Sequence, residues 1–490
     1  MLDQRPRGEG ACVPVHEPMH EPMSRRDYCW FRMDGASNLM VINSVLMFEG
    51  ALDFDTLRAT LAQRLPNYAR FTQRVSVRRH GLLFKASWVH DPDFEIARHV
   101  AFDAAAAPIS EAQLHALLSG QALQPLDKAR PLWHMQVFKR AAGGFAIVFR
   151  LHHCITDGLG LVHVLKHLTD DSMHHDGQAS MEWHPAHAKP QGQALLCKRV
   201  HRALFWARIS AQLARLALLI PDPRSSLKRP LSAEKCLLQL PAMQLELVRG
   251  IAKSMQATVN DVWVAAVAGA LRAYLQERGE PAAKRSLRAA VTFSLRNKGD
   301  AFLLGNHFGL VAVDLPSDKA SALERLTLAS ARMKAIKASH QPHATMFFLS
   351  LSGYLPARLQ TVLLKLFTAK GSVVLTNVEG PPQPRYLAGS LLQDAICWVP
   401  QAGTFGVGFA LMSYAGQIQI SMFADRSQVA DPQRLMDLVG EAFVELEQQT
   451  RFSALDLLPR HLAAPSSLAG GDYLVGGVGR VGGLTPHRST

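Results

Sequence analysis

Residues 145–168 read FAIVFRLHHCITDGLGLVHVLKHL, and this stretch decides the fold class of the chain. Its nearly continuous apolar run, Phe145–Leu151, predicts a strand that is buried on both faces. Two adjacent histidines stand at the end of that strand. After three more residues Asp157 is a favoured N-cap, and the apolar residues that follow it predict a helix over Leu159–Leu168. A buried strand, a tight turn and a helix in this order are typical of an α/β protein.

The two histidines, His152 and His153, stand where a side chain can act as a general base. Deprotonating a hydroxyl group needs a neutral imidazole within hydrogen-bond reach, and the unperturbed pKa of histidine, about 6.5, lies close to neutral pH. A strand end and a tight turn hold such a ring in one orientation. Asp157 is placed to cap the next helix and to pair with a cation, which fixes the loop. The alternative is a chance pair of histidines in a turn without a catalytic role.

The same reading of periodicity extends to the rest of the chain. Leu132–Phe138 alternates between apolar and polar residues, so with the turn at 139–144 and the buried strand it predicts a hairpin. Further helices are predicted at Asp55–Leu65, Glu111–Leu118, Ala203–Ile220, Met243–Met255 and Asp261–Gln276, and further strands at Leu287–Ser294, Phe308–Leu315, Val373–Val378 and Ile418–Phe423. Both halves mix helices and strands, which predicts two sandwich-like α/β domains with a site between them.

A chain of 490 residues is too long for one compact core, which supports the division into two domains. We place a disordered leader at 1–22, an N-terminal domain at 23–183, a basic helical connector at 184–235, a C-terminal domain at 236–460 and a disordered Gly-rich tail at 461–490. Within the tail, Gly477-x-Gly479-x-x-Gly482 matches a dinucleotide fingerprint by spelling alone. We discard it because no strand, turn and helix can follow before Thr490.

Positive charge concentrates in the connector. The formal net charge is +13, and residues 191–235 contain nine Lys or Arg against two Asp or Glu. Such a patch can bind nucleic acid, an anionic membrane or a phosphate-bearing ligand such as coenzyme A. No helix-turn-helix, zinc-finger or aromatic RNA-reading motif accompanies it, so nucleic acid ranks behind the other two partners.

Two apolar segments leave two interpretations open. In the helix Ala203–Ile220, Arg208, Gln212 and Arg215 form one polar stripe and most of the remaining surface is apolar. This helix is either buried against both domains or lies on a membrane surface. The segment Met346–Phe367 is either a core helix or a segment that lines an alcohol channel or touches a bilayer.

The cysteines and the N-terminus favour a cytoplasmic protein. Six cysteines are scattered singly without a CxxC pair, which is typical of reduced thiols. The first residues lack the apolar run of a secretory signal. Two windows without Asp, Glu, Lys or Arg, 338–357 and 395–424, are interrupted by Gly, Pro, Ser and Gln. We therefore expect any membrane contact to be peripheral.

Other chemistries are weaker interpretations of the same residues. Cys154 beside His153 suggests a Cys–His acyl-enzyme, but adjacent residues at a strand end project to different sides. His163 and His167 share a helix face at metal-ligand spacing, and Asp170, Asp171, His174 and His175 follow them. We favour a polar helix end with solvated side chains there. The absence of a GxSxG motif argues against a serine hydrolase.

Several motifs follow one another in an order that resembles a known family. They are Pro131-Leu132-Trp133, the His-His-x-x-x-Asp-Gly motif of residues 152–158, Val259-Asn260-Asp261-Val262, Ser294-Leu295-Arg296, Leu304-Gly305-Asn306, Asn377-Val378-Glu379-Gly380-Pro381, Ser413-Tyr414-x-Gly416 and Asp425. Over about residues 23–458 the chain resembles the bacterial wax ester synthase/acyl-CoA:diacylglycerol acyltransferases. These belong to the coenzyme A-dependent acyltransferases with the chloramphenicol-acetyltransferase-like fold.

The resemblance implies an α/β fold of two chloramphenicol-acetyltransferase-like mixed sheet-and-helix domains, with the active-site tunnel between them. It implies transfer of a fatty acyl group from acyl-CoA to a long-chain alcohol or a diacylglycerol, without a covalent intermediate, metal or other cofactor. Basic residues would meet the phosphates of acyl-CoA on one side of the tunnel, and the alcohol would enter from the other. The expected location is cytoplasmic, with peripheral contact to the inner membrane face or to lipid droplets.

The resemblance also assigns roles to residues of the motif. His153 would be the proton acceptor, His152 an orienting residue, and Asp157, followed by Gly158, a structural residue. A cation, either Arg296 or Arg150, would pair with Asp157.

Further residues are candidates for substrate contacts. Asn260 is a possible oxyanion contact, although it also fits the ordinary N-cap of the helix that follows it. Trp133, Asn306 and Arg296 are candidate substrate-binding residues.

One position departs from the family pattern, because Glu379 stands where proline is usual. The change replaces a rigid residue by a charged one and puts substrate contacts near it in doubt. The alternative function is therefore a catalytically weak relative, or a condensation-like protein that binds an acyl thioester linked to a carrier.

Overall fold

The computed structural model describes residues 21–80, 83–102, 106–173, 195–280, 286–296 and 303–456. Residues 1–450 form one compact unit; in the second, 451–490, the structure describes only residues 451–456. The predicted Gly-rich tail, its glycine motif and the predicted leader up to residue 20 lie outside the described residues. The last two leader residues form a short strand that pairs with residues 87 and 88.

The described residues form sixteen strands and eleven α-helices. The strands are β1 (Glu21–Pro22), β2 (Val41–Phe48), β3 (Gln73–His80), β4 (Leu83–His90), β5 (Val100–Phe102), β6 (Trp133–Lys139), β7 (Phe145–His152), β8 (Lys235–Gln239), β9 (Met243–Gln244), β10 (Arg288–Ser294), β11 (Phe308–Asp314), β12 (Val373–Glu379), β13 (Tyr386–Leu387), β14 (Ser390–Trp398), β15 (Val407–Tyr414) and β16 (Gln417–Asp425). The helices are α1 (Arg25–Phe31), α2 (Phe54–Arg64), α3 (Glu111–Gln121), α4 (Gly158–Leu168), α5 (Leu195–Leu218), α6 (Leu245–Ser254), α7 (Val259–Glu277), α8 (Ala322–Lys337), α9 (Gln341–Ser352), α10 (Ala357–Thr368) and α11 (Pro432–Asp456).

A six-stranded sheet carries the motif strand in its interior. Its order is β13-β14-β2-β7-β6-β5, and all eight residues of β7 are buried, as their apolar run predicts. β6 and β7 form the predicted antiparallel hairpin. β13 and β14 come from the C-terminal half of the chain, and β14 pairs with β2. The sheet therefore crosses the boundaries that the sequence suggested for the two domains.

A seven-stranded sheet contains the remaining large set of strands. Its order is β11-β10-β12-β15-β16-β8, with β9 pairing to β16, and β12 runs parallel to both of its neighbours. One face packs against α6, α7, α8 and α11 in the largest hydrophobic core. Odd-numbered residues of β10 enter this core, so its even-numbered residues face away from it. β1, β4 and β3 form a separate three-stranded sheet.

The mixed sheet-and-helix architecture confirms the predicted α/β fold class. Every helix and strand predicted from periodicity is present, and the ends agree within three residues except at α5, which begins earlier. Amphipathic and alternating segments were predictable because their apolar faces pack on the nearest sheet.

The connector helix α5 is only partly buried. It packs against α9, and Ile209 and Leu216 are buried. Trp206 packs against Phe347 of α9 although part of its ring is exposed, and Leu204 and Leu218 are exposed. The helix therefore packs on the protein along one side and exposes apolar side chains elsewhere.

The segment Met346–Phe367 is not a simple core helix. Its residues belong to two helices, α9 and α10, which are separated by a short break that ends at Pro356. Large apolar side chains on α10 face solvent. In the part of the chain that the structure describes, no helix has the length and apolar character needed to cross a bilayer.

Candidate active site

The motif loop is clamped at Asp157, which lies between β7 and α4. One carboxylate oxygen caps α4 by accepting from the backbone N–H of Gly160 at 2.9 Å. The same oxygen pairs with Arg296 at 2.9 Å, and the other accepts from the N–H of His307 at 2.9 Å. Of the two guanidinium groups that the sequence offered as partners, Arg296 makes the ion pair. Arg150 instead donates to Asn43 and to two backbone carbonyls.

A turn at residues 304–306 lies directly against this loop. Arg296 donates to the carbonyl of Gly305 at 2.7 Å, and Gly305 forms an isolated bridge with Thr156. Gly305 has φ +110°, and a Cβ there would lie 3.1 Å from Arg70 and 3.3 Å from Asp27. Glycine therefore meets both the backbone and the steric requirement of this approach.

This turn places Asn306 against the second histidine of the motif. Nδ1 of His153 lies 2.8 Å from Oδ1 of Asn306. The amide Nδ2 of Asn306 donates to Asp27 and to the carbonyl of His153, each at 2.8 Å, so Oδ1 is the accepting atom. Nδ1 of His153 must then carry the hydrogen, which leaves the lone pair on Nε2. Asp27 is in turn paired with Arg70 at 3.3 Å.

The His153 ring is held between aromatic side chains. Trp30 of α1 stacks on it with ring centroids 4.6 Å apart and 11° between the planes, and Phe308 lies 5.6 Å away. Burial disfavours the imidazolium and lowers the pKa of His153 below its ordinary value. The ring is therefore neutral at neutral pH, with a fixed tautomer, as a general base requires.

The first histidine, His152, faces a different set of partners. Nδ1 accepts from the N–H of Cys154 at 3.1 Å, and Nε2 lies 3.3 Å from the carboxylate of Asp34. Lys128 pairs with the same carboxylate at 2.9 Å. Burial opposes ionisation of Asp34, but its bonds to His152, to the N–H of Met40 and to Lys128 lower its pKa to about 2. Both ring nitrogens of His152 are thus committed to the protein.

Two adjoining cavities meet at the motif. The first, which we call the His153 cavity, has a volume of about 670 Å³ and is lined by residues of both large sheets, including His153, Thr292, Thr376, Asn377 and Trp398. The second, the apolar cavity, has a volume of about 710 Å³ and lies between α4 and the six-stranded sheet. The two cavities share four lining residues, which are Ile42, Gly158, Val378 and Cys397.

The structure brings only part of the predicted site residues to these cavities. His153, Asp157 and Gly158 line the His153 cavity. Asn306 acts behind the ring, and Arg296 behind Asp157, so neither is placed as a substrate contact. Their contacts indicate positioning roles instead.

Trp133 and Asn260 lie away from both cavities. Trp133 is 1% exposed, stacks on His99 and donates from Nε1 to the carbonyl of Phe71, so it belongs to the core. Asn260 lies in the first turn of α7. The N-cap of that helix is Thr258, which forms a reciprocal capping box with Asp261. The N-cap alternative for Asn260 is therefore wrong, because the residue two positions earlier caps the helix.

The alternative chemistries receive no support from the geometry. Cys154 is fully buried and lines neither cavity, and burial raises the pKa of its thiol well above the ordinary value. His163 is buried and His167 is half-buried, and both pack edge-on against Tyr68. Among the described residues no group of three or more His, Cys, Asp or Glu side chains is arranged to hold a metal ion.

The remaining residues of the suggested metal cluster are also accounted for. Asp170 pairs with Arg64 at 2.8 Å, and Asp171 pairs with Arg385. His174 and His175 lie outside the described residues.

Three of the site residues that were missed from the sequence are Asp27, Trp30 and Asp34. All lie in or just after α1. The spelling Ser24-x-x-Asp27 is a helix N-terminus signal, and Ser24 does cap α1. That signal predicts the helix, but it does not tell which distant residue the helix will meet.

Comparison with known proteins agrees on one family. The model of the wax ester synthase/diacylglycerol acyltransferase catalytic domain matches residues 23–263, and the model of the C-terminal domain of the same family matches residues 304–447. A probable diacylglycerol O-acyltransferase of Mycobacterium tuberculosis (strain H37Rv) is 29% identical over 430 residues, which cover 83% of this chain and 91% of that protein. A second one from the same strain is 28% identical over 391 residues, which cover 75% and 85%.

Solved structures share the fold. The wax ester synthase/diacylglycerol acyltransferase from Marinobacter aquaeolei VT8 superposes with a TM-score of 0.64 at 21% identity, covering 88% of this chain and 100% of that chain. The first condensation domain of the CDA synthetase gives a TM-score of 0.61 at 16% identity, covering 88% and 96%.

Proposed function

The chain belongs to the wax ester synthase/diacylglycerol acyltransferase family, and from this premise we propose that it transfers a fatty acyl group from acyl-CoA to the hydroxyl group of a long-chain alcohol or a diacylglycerol. The family makes it an acyltransferase. One observation carries the choice of base: neutral His153, with its lone pair on Nε2, lines a cavity that adjoins an apolar one. The proposal needs no metal or other cofactor.

The reaction proceeds by direct transfer. Nε2 of His153 accepts the proton of the alcohol as its oxygen attacks the thioester carbonyl carbon. The tetrahedral intermediate collapses with cleavage of the carbon–sulfur bond, and the new ester is released. The imidazolium then protonates the departing thiolate of coenzyme A, which returns His153 to its neutral form. Asn306 holds the ring in the required tautomer throughout.

The walls of the cavities suit the two ends of an acyl thioester. Hydroxyl and amide side chains of β10 and β12 line the His153 cavity, namely Thr292, Ser294, Thr376 and Asn377. We assign stabilisation of the oxyanion to this group in place of Asn260, because Asn260 lines neither cavity. The apolar cavity under α4 takes the fatty acyl chain, since its lining is almost entirely apolar.

Release of free thiol from palmitoyl-CoA tests the proposal. We expect release that depends on hexadecanol or dioleoylglycerol in the parent and is lost in His153→Ala, with the matching ester detected as product. Comparison of the two acceptors ranks them. Release with no acceptor-dependent ester, or unchanged turnover in His153→Ala, would contradict the mechanism. Activity only with a carrier-linked donor would favour the condensation-like alternative.

We also propose that the enzyme works at a lipid surface, on the cytoplasmic face of the membrane or on lipid droplets. On α10 the side chains of Leu359, Val362 and Leu366 are 51%, 53% and 60% exposed. They repeat at helical spacing, and α10 carries Arg358 and Lys365 but no acidic residue. This combination favours an anionic lipid interface.

The exposed apolar surface continues onto the end of α5. Leu218 and Ile220 are 82% and 62% exposed. Lys370, just after α10, joins the two helix ends by donating to the carbonyls of Ala217 at 2.8 Å and Leu219 at 2.6 Å. The lipid-facing patch therefore comprises Leu218, Ile220, Leu359, Val362 and Leu366.

Sedimentation with phosphatidylcholine vesicles, with and without phosphatidylglycerol, tests this patch. We expect stronger binding to the anionic vesicles and a loss of most binding when Leu359, Val362 and Leu366 are all changed to Ser. Val444→Ser is the matched control, because Val444 is 51% exposed on α11. Equal losses in both variants, or none in the triple variant, would refute the patch.

A further inference from the structure

A third cavity lies apart from the catalytic loop and is lined by three arginines. Its volume is about 710 Å³, and it is formed by α5, the β10–β11 hairpin and α8. We call it the guanidinium cavity after Arg215, Arg288 and Arg332 in its wall. One carboxylate, that of Asp314, also lines it.

The three guanidinium groups differ in the hydrogen-bond and ion-pair partners that they already have. Arg288 is a structural residue, since it pairs with Asp222 at 3.2 Å and Asp314 at 2.7 Å. Arg332 donates to a backbone carbonyl, that of Asp314, at 2.6 Å. Within the described part of the chain, the guanidinium group of Arg215 has no hydrogen bond or ion pair. Two positive charges are thus left without a described carboxylate partner in a partly enclosed space, which suits a phosphate group.

The guanidinium cavity and the His153 cavity lie on the same face of one hairpin. Even-numbered residues of β10 line both: Thr292 and Ser294 at the catalytic end and Arg288 at the other. β11 follows the same pattern, because its first residue lines the His153 cavity and its last lines the guanidinium cavity. Six residue steps at about 3.4 Å each separate the two ends of β10 by about 20 Å.

We propose that the guanidinium cavity binds phosphate, and specifically the phosphates of the nucleotide of the acyl donor. The inference rests on the function proposed above. Acyl-CoA carries its thioester at one end of a long, neutral pantetheine arm and its phosphates at the other. Ala290 of β10 is buried against Phe405 between the two cavities, whereas Leu310 and Ala312 of β11 are half-buried. A donor whose thioester is at His153 would therefore extend over β11 and place its phosphates between Arg215 and Arg332. One of the nine basic residues of the connector, Arg215 of α5, then has a specific use.

Two donors that differ only beyond the pantetheine arm test this inference. Palmitoyl-CoA and palmitoyl-pantetheine, which has no phosphate, are compared in the parent and in Arg215→Gln/Arg332→Gln. In the double variant we expect the KM for palmitoyl-CoA to rise about tenfold relative to the KM for palmitoyl-pantetheine, because only the binding of palmitoyl-CoA is weakened. The kcat for palmitoyl-CoA should be retained. Arg208→Gln is the matched control on the same helix, because Arg208 does not line the cavity.

Binding of adenosine 3′,5′-bisphosphate by titration calorimetry gives a readout independent of turnover. We expect the parent and Arg208→Gln to bind the bisphosphate with similar affinity. The double variant should lose most of that affinity. An unchanged KM ratio would overturn the assignment to the donor. If the double variant instead lost only vesicle binding that depends on phosphatidylglycerol, the phosphate would be that of a lipid headgroup and the assignment would also fall. Absence of parental turnover with either donor would refute the proposed function, whereas the calorimetry would still decide the phosphate site.

Discussion

The two adjacent histidines of the motif stand in front of two different hydrogen-bond networks. Behind His152 the carboxylate of Asp34 lies 3.3 Å from the ring and also pairs with Lys128. Behind His153 the neutral amide of Asn306 contacts the ring at 2.8 Å, and the carboxylate of Asp27 lies one step further back. Each network contains a carboxylate paired with a cation, Asp34 with Lys128 and Asp27 with Arg70. Only the carboxylate of Asp34 contacts a histidine ring directly.

That difference explains why the second histidine is the one able to take a proton. At His152 one ring nitrogen accepts the N–H of Cys154 and the other faces the carboxylate of Asp34, so no lone pair is left for a substrate. A neutral amide fixes the tautomer without offering a negative charge, so burial dominates and lowers the pKa of His153. Asp27 orients the amide from behind. The motif thus pairs a histidine that holds the loop with a histidine that performs chemistry.

Changing His153 and His152 separately to glutamine should give the largest difference in activity between the two positions. His153→Gln keeps an amide in place of the ring but has no basic nitrogen, so we expect kcat/KM to fall about a thousandfold, with a melting temperature near that of the parent. His152→Gln should cost about tenfold in kcat/KM and about 1–2 kcal/mol of stability, because Asp34 loses a buried partner. Steady-state kinetics and thermal unfolding of both variants measure this, and a reversed ranking would refute the assignment.

Removing the charge from Asp157 should have the next largest effect. The side chains of Asp157 and Arg296 are 8% and 6% exposed, so Asp157→Asn removes a buried negative charge that lies in contact with a buried guanidinium group. We expect the free energy of unfolding to fall by about 3 kcal/mol and kcat/KM to fall by at least about tenfold as the loop loses its clamp. Denaturant unfolding checks this.

Asp157→Asn/Arg296→Gln is the control for that change. Removing both charges should cost less stability than the sum of the single changes, because no unpaired charge remains. If Asp157→Asn unfolded and turned over like the parent, the clamp would have no structural role.

Exchanging the acid and the amide behind His153 should convert its network toward that of His152. In Asp27→Asn/Asn306→Asp a carboxylate would contact Nδ1, stabilise the imidazolium and raise the pKa of His153. Since kcat/KM requires the neutral ring, it rises with pH through this pKa. The acid limb, which burial places below 6.5 in the parent, should move to higher pH by about one unit. The single variant Asp27→Asn is the control, and a limb that stayed in place or moved to lower pH in the exchange variant would contradict the comparison.

The parts of the site that could be predicted are those determined by neighbouring residues. Residues 145–168 form the predicted buried strand, turn and helix. The strand follows from its apolar run, and the start of the helix follows from Asp157, which accepts the N–H of Gly160 three residues later. The hairpin of β6 and β7 follows from alternation and a glycine-containing turn. Each of these signals acts over a few residues and is therefore visible in a single sequence.

The partners of the base could not be predicted because they come from distant parts of the chain. His153 and Asn306 are 153 positions apart, and Asn306 and Asp27 are 279 positions apart. Periodicity shows which face of an element is buried but not which element it meets. Asp27 could be interpreted only as part of the first turn of a helix, and Asn306 was a candidate substrate contact, not a partner of His153. The charge arrangement that distinguishes the two histidines thus exists only in the folded chain.

We expect the smallest effect from Glu379, a charged residue that belongs to neither histidine network. It is the exposed last residue of β12 and lines neither cavity, although Asn377 and Val378 just before it do. Because Glu379 lines neither cavity, its carboxylate should not affect the base. We expect Glu379→Pro, which restores the residue usual in the family, and Glu379→Gln, its control, to change kcat/KM less than about twofold, since neither alters a contact of His153. A tenfold gain in both variants would show that the charge limits activity from a distance, and a gain in the proline variant alone would assign the effect to backbone rigidity at the end of the strand.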